Sequence, residues 1–180
     1  DNNKKLILKM DVEGAEWDVL LQTPIATLEL FEQIVIEIHE LHSVPPIYDG
    51  INLSKVTIEK RIEILKKINS LFYLHHVHAC NYNPLYYIDR FKLPNALELT
   101  FVNKKYFNST GHSKTIFPTD IDRPNWKNRK DINLHFFPFY PGVIQHVSNV
   151  VTKLGWRGWW GIIGLTFKFF LTKWKSLLIK

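Results

Sequence analysis

The chain has 180 residues, 46% of them apolar and 22% charged, a profile that excludes a disordered protein and allows one domain with a buried core. The net charge of +6 is uneven. The last acid is Asp131, and Lys153, Arg157, Lys168, Lys173, Lys175 and Lys180 follow it, so residues 1–131 are neutral and the excess belongs to the tail. A charge so placed speaks to what the tail touches rather than to the fold.

The N-terminus, DNNKK, is polar and has no apolar core behind it, which argues against a signal peptide. Asp1 stands just before a strand with no initiator Met, so the chain reads as a piece of a longer protein. The first strand is expected over Leu6–Asp11, where an apolar run ends in a carboxylate. Gly14 permits a tight turn, and a short helix follows over Ala15–Gln22, ending before Pro24. Gln33–His39 (QIVIEIH) has the β-branched run of a buried strand. Thr57–Leu71 is the strongest helix, with Ile58, Ile62, Leu65, Ile68 and Leu71 in one stripe and Thr57 at the cap. Tyr73–His78 and Ala96–Asn103 complete the strands, the last alternating Leu97, Leu99, Phe101 with Glu98, Thr100. Strands alternating with helices predict an α/β fold with an open sheet. Cys80 has no second thiol, which excludes an internal disulfide and fits a reducing, cytoplasmic compartment and a packed, inert side chain.

Residues 104–142 are rich in Asn, Pro, Lys and aromatics without a period, and read as a long irregular extension. Residues 143–180 form a third region. Gly155, Gly158, Gly161 and Gly164 recur at three-residue spacing among Trp156, Trp159 and Trp160. Beyond them Phe167, Phe170, Leu171, Trp174, Leu177 and Leu178 share a helical arc, with Lys168, Lys173, Lys175 and Lys180 opposite; Phe169 and Ile179 break the pattern. The run between Arg157 and Lys168 falls far short of the roughly 20 residues that span a bilayer. The composition is that of a helix lying on an anionic membrane surface through residues 164–180, peripheral at the inner face. A membrane is favoured over nucleic acid because the lysines are interleaved with Phe, Leu and Trp; an ordinary packed terminal helix is the bland alternative.

An open α/β sheet binds ligands outside the carboxyl ends of its strands. Asp11 stands at the end of the first strand and His39 at the end of the second; Glu13 lies close behind Asp11. Glu13 and Glu16 also suit a first helical turn, where acids complement the helix dipole. His39 has the ordinary pKa for proton abstraction near neutrality, and Glu37, on the same strand face, is its expected orienting partner. His75, His76 and His78 cluster on the third strand. With His39 and Asp11 they have the donor types of a divalent metal site, but H-x-H spacing alone is weak, and no metal ligands are assigned.

LKMDVEGAEWDVL, QIVIEIHEL, HHVHACNYNP and LPNALELTFVNK, in that order, resemble the C-terminal half of an FkbM-type S-adenosylmethionine-dependent methyltransferase. The resemblance runs from about Leu6 to Asn103 and extends to FPTDIDRPNWKNRKDINL (Phe117–Leu134); residues after 142 lie outside it. It implies the second half of a Rossmann-like sheet over residues 1–103. The family's Gly-rich cofactor loop and ribose-binding acid are not in this stretch. It also implies O-methylation of a hydroxyl on a sugar or glycan-like acceptor, with S-adenosylmethionine as cofactor. Asp11, His39 and Glu13 would be catalytic, Asp11 and Glu13 would face the cofactor, and His78, Asn81 and Glu37 would face the acceptor. Two other readings stand beside it: a non-catalytic, membrane-associated or partner-binding remnant, and a metal-dependent hydrolase built on Asp11, His39 and His78.

Overall fold

The computed structural model describes residues 5–41, 47–48, 51–52, 56–88, 91–109, 111, 113–136 and 139. The basic tail 143–180, with its expected amphipathic helix, lies outside them. In chain order the elements are β1 (Leu6–Met10), α1 (Glu16–Gln22), α2 (Ile25–Leu28), β2 (Phe31–Ile38), β3 (Ile47–Tyr48), β4 (Ile51–Asn52), α3 (Ile58–Leu71), β5 (Phe72–Ala79), β6 (Tyr86–Ile88), β7 (Phe91–Leu93) and β8 (Leu97–Asn103). The fold is mixed α/β. The main sheet has the order β1-β2-β8-β5. β1 and β2 pair in parallel, and β8 runs antiparallel to both β2 and β5. The connection from β1 to β2 passes through α1 and α2, so the two strands end at the same edge of the sheet.

Four strands and two helices stand where the residue pattern predicts them, with ends differing by one or two residues. The short helix α2 and the small hairpins β3–β4 and β6–β7 are additions, lying inside stretches that read as loop. The Thr57 hydroxyl accepts from the Lys60 amide and caps α3.

Alternation along β2 and β8 divides the sheet into two unlike faces. Ile34, Ile36 and Ile38 on β2 and Leu97, Leu99 and Phe101 on β8 are buried with Trp17, Leu20, Ile64, Leu65 and Ile68 of the helices, and this is the core. Arg61 shares the buried side of α3, its guanidinium 4.8 Å from the Trp17 ring centre and donating to the Glu40 carbonyl. The opposite face carries Lys9, Val35, Glu37, Glu98, Thr100, His76 and His78, by the strand register. At the outer edge β1 leaves Leu6 and Ile7 exposed, Ile7 by 66%. Among the described residues, no helix is long and apolar enough to cross a membrane.

After Asn103 the described residues contain no helix or strand. The segment is nevertheless fixed. Leu134 is buried in the core and its amide donates to the Phe117 carbonyl. Polar side chains of the sheet hold the stretch between them.

Candidate functional site

The carboxyl ends of β1 and β2 bring Asp11, Glu13, Glu16, Glu37 and His39 together. Parallel register places Met10 opposite Ile36. The next residue, Asp11, therefore falls on the face of Glu37 and His39. The turn after β1 then bends sharply. Glu13 has φ 53° and Gly14 φ 106°, both in the left-handed region. Glycine takes such a conformation freely, whereas glutamate occupies it at a cost of order 1 kcal/mol.

Glu16 holds the turn in shape. Its side chain is 0% exposed; Oε1 accepts from the Val12 amide at 2.9 Å and Oε2 from the Gly14 amide at 3.0 Å. Oε1 also lies 3.0 Å from His39 Nδ1. Burial would raise the Glu16 pKa, but the bonds from His39 and from the Val12 and Gly14 amides outweigh it and hold the carboxyl below its ordinary value. An ionised carboxylate only accepts, so Nδ1 carries the hydrogen and Nε2 is the outward atom of the neutral ring.

His39 Nε2 faces three more carboxylates: Glu37 Oε1 at 3.4 Å, Glu13 Oε2 at 3.5 Å and Asp11 Oδ1 at 3.9 Å. The imidazole is 12% exposed. Burial lowers its pKa, but the bond to Glu16 and the charges of Glu16, Glu37 and Glu13 outweigh that, and the net shift is upward. Glu37 is pushed up, first by burial and then by Asp11 and Glu98 against the opposing pull of His39. One donor atom each from Asp11, Glu13 and His39 lie within 4.8 Å of one another.

The expected residues thus separate into two groups. Asp11, Glu13, His39 and Glu37 converge. The orienting partner of His39, however, is Glu16 at Nδ1 rather than Glu37, which stands at Nε2. The dipole explanation for an acid in a first helical turn concealed this role; an acid two residues past a turn glycine, able to fold back onto its amide, was the signal available.

His78 and Asn81 do not join the cluster. Glu37 pairs with Glu98, and Glu98 with His78, so His78 lies two strands from β2, about 10 Å at ordinary strand spacing. Its residue is 3% exposed, and both ring nitrogens are taken: Nδ1 is 2.7 Å from Glu98 Oε2 and Nε2 3.0 Å from Asp131. The bond to Glu98 is the main cause that raises its pKa, to about 9, burial opposing and Asp131 adding to it. Asn81 is 2% exposed; its amide group donates to the carbonyls of Trp126 and Arg129, and its oxygen accepts from the Trp126 amide at 2.8 Å. The polar groups expected to face an acceptor therefore fasten the 117–134 segment to the sheet. His76 does the same through Asp122 at 3.1 Å, and Glu98 through Asn125 at 2.9 Å. Separation of His78 from His39 also removes the third residue of the hydrolase reading. The Cys80 thiol is pushed up to about 11, chiefly by burial, and is a protonated, unreactive group at neutral pH.

Comparison with family models, curated proteins and solved structures gives no match to this chain.

Proposed function

We propose that the chain is the acceptor-side half of an S-adenosylmethionine-dependent O-methyltransferase acting on a hydroxyl of a sugar or glycan-like molecule. The observation that carries this reading is the convergence of Asp11, Glu13 and His39 at the carboxyl ends of two adjacent parallel strands, where open α/β sheets bind ligands. Two parallel strands joined through helices, with an antiparallel strand inserted beyond them, agree with the later half of a doubly wound sheet, in which such mixed strands are common.

Methyl transfer to an alcohol forms an oxygen–carbon bond as the sulfonium–carbon bond breaks, and the hydroxyl proton must leave. A cluster of one imidazole and three carboxylates draws that proton off and favours the positive sulfonium nearby. Glu16 contributes from behind, fixing the ring tautomer as the carboxylate of a catalytic triad does. Extended by strands that carry a Gly-rich loop, the protein is expected to release heat on calorimetric titration with S-adenosylmethionine; absence of binding by the extended protein rejects the reading.

The basic, aromatic tail suits a peripheral position on an anionic membrane, the surface where a lipid-linked glycan acceptor would be met. Deleting residues 164–180 is expected to release the protein from anionic vesicles in a sedimentation assay. Equal sedimentation with and without these residues rules the anchor out.

A further inference from the structure

We propose that the carboxyl ends of β1 and β2 form a binding site for one divalent cation, ligated by His39 Nε2, Asp11 and Glu13, with Glu37 at its border. The inference concerns the cluster itself and holds whatever reaction the protein performs.

Four features point to a cation. The first is spacing. Nε2 stands 3.5 Å from Glu13 Oε2 and 3.9 Å from Asp11 Oδ1, and the three donors fall within 4.8 Å of one another. These separations are long for hydrogen bonds. In an octahedral shell with bonds of about 2.1–2.2 Å, neighbouring donors lie about 3 Å apart and opposite ones about 4.3 Å, and both distances from Nε2 fall between these values.

The second is the orientation of the ring. A metal-bound histidine donates its other ring N–H to a carboxylate or carbonyl, and here Nδ1 meets the fully buried Glu16 at 3.0 Å. Glu16 is itself held by the Val12 and Gly14 amides, so Nε2 is aimed by the backbone of the same turn.

The third is charge. Four carboxylates, from Asp11, Glu13, Glu16 and Glu37, surround a single imidazole. Among the described residues, no Lys or Arg forms an ion pair with any of them. Carboxylates brought together repel, most strongly where they are buried, as Glu16 is, or largely covered, as Glu37 is, and a positive charge between them relieves this.

The fourth is the backbone. Glu13 is held at φ 53°, a conformation that costs energy and that carries its carboxylate back toward His39. The outer ligands are open to solvent, Glu13 by 83%, which leaves coordination positions for water or for an oxygen of a bound molecule.

One nitrogen with two or three carboxylate oxygens suits a six-coordinate ion of the Mn2+ kind better than Mg2+, which prefers oxygen alone. If the methyl-transfer reading holds, the acceptor oxygen would take an open position, and the cation would stabilise the alkoxide as the proton leaves; that last step rests on that reading.

The experiment is titration of the 180-residue protein with Mn2+, followed by loss of the free-ion electron paramagnetic resonance signal. One saturable site is expected, with Glu13→Gln and His39→Ala each weakening it by about tenfold or more. Glu16→Gln, which touches no ion, is expected to weaken it by about 10–100-fold as a positioning residue. Glu13 is exposed, so its substitution tests the site without threatening the fold; Glu59→Gln, on the exposed start of α3, should leave the affinity unchanged. Absence of a saturable site, or affinity equal in the wild type and Glu13→Gln, overturns the proposal. Mn2+ binding without cofactor binding by the extended protein would sink the methyltransferase reading and leave the cation site standing.

Discussion

On the methyltransferase reading proposed above, methyl transfer is expected to fall by about a hundredfold to ten-thousandfold when His39 is changed to alanine, the range for loss of a positioned proton-transfer group. Every other part of the cluster is directed at this side chain. Glu16 fixes Nδ1 at 3.0 Å, and Asp11, Glu13 and Glu37 surround Nε2. The expected loss is the same whether Nε2 receives the proton or holds a cation that draws it off, because both roles run through that atom. Turnover should therefore fall while calorimetric affinity for S-adenosylmethionine is retained. Glu16→Gln should share much of the loss without touching a substrate. A glutamine amide can present its own N–H to Nδ1 and select the wrong tautomer, the fault produced when the buried carboxylate of a catalytic triad becomes an amide. A His39→Ala protein that keeps most of its rate would remove the site from the chemistry.

Loss of His78 should have a large effect on stability. The ring bridges Glu98 on β8 and Asp131 in the irregular segment, and alanine would leave two facing carboxylates without their shared cation. A destabilisation of about 3 kcal/mol is expected, at the lower end for breaking a buried pair because Glu98 is partly exposed. The same contact gives stability a pH dependence of definite sign. His78 titrates at about 9 in the folded protein and near 6.5 when unfolded. Its contribution is fully present below pH 6.5 and disappears as pH rises through about 9. Of order 3 kcal/mol should thus be lost between pH 6 and pH 10. Asn125, which also donates to Glu98, has a side-chain amide that does not titrate and so does not mimic the effect. Urea midpoints across that range, for wild type and His78→Gln, provide the check. The wild-type midpoint should fall toward the flatter curve of the variant, and parallel curves would show that His78 is not the clamp.

The fold was legible in proportion to how local its causes are. The β-branched run in β2, the alternation in β8 and the 3.6-residue stripe in α3 are written in neighbouring residues, and the elements stand where those patterns put them. The four-residue helix α2 and the two-residue strands β3 and β4 are too short to carry a period. In the site, Asp11 and His39 were legible because each follows an apolar strand directly. Glu16 was not, because its position at the start of a helix already had a sufficient electrostatic explanation. His78 and Asn81 stand apart from the cluster, and the sequence does not show why. Their residue types suit an acceptor, but their actual partners lie 20 to 53 positions away, and nothing in the intervening sequence announces a strap that crosses back over β5.

That strap has a consequence for the order in which the protein is assembled. Its fastenings, at Asp122, Asn125, Trp126 and Asp131, all attach to side chains of β5, β8 and the turn after β5, and β8 must be paired with β5 before Glu98 and His78 stand side by side. Residues 117–134 can therefore close only over a finished sheet. With no backbone ladder of their own, they form a unit that can open by itself while the strands beneath stay paired. The last part to join is then the first to leave, and the sheet face beneath it, with His76 and His78, meets solvent each time it does.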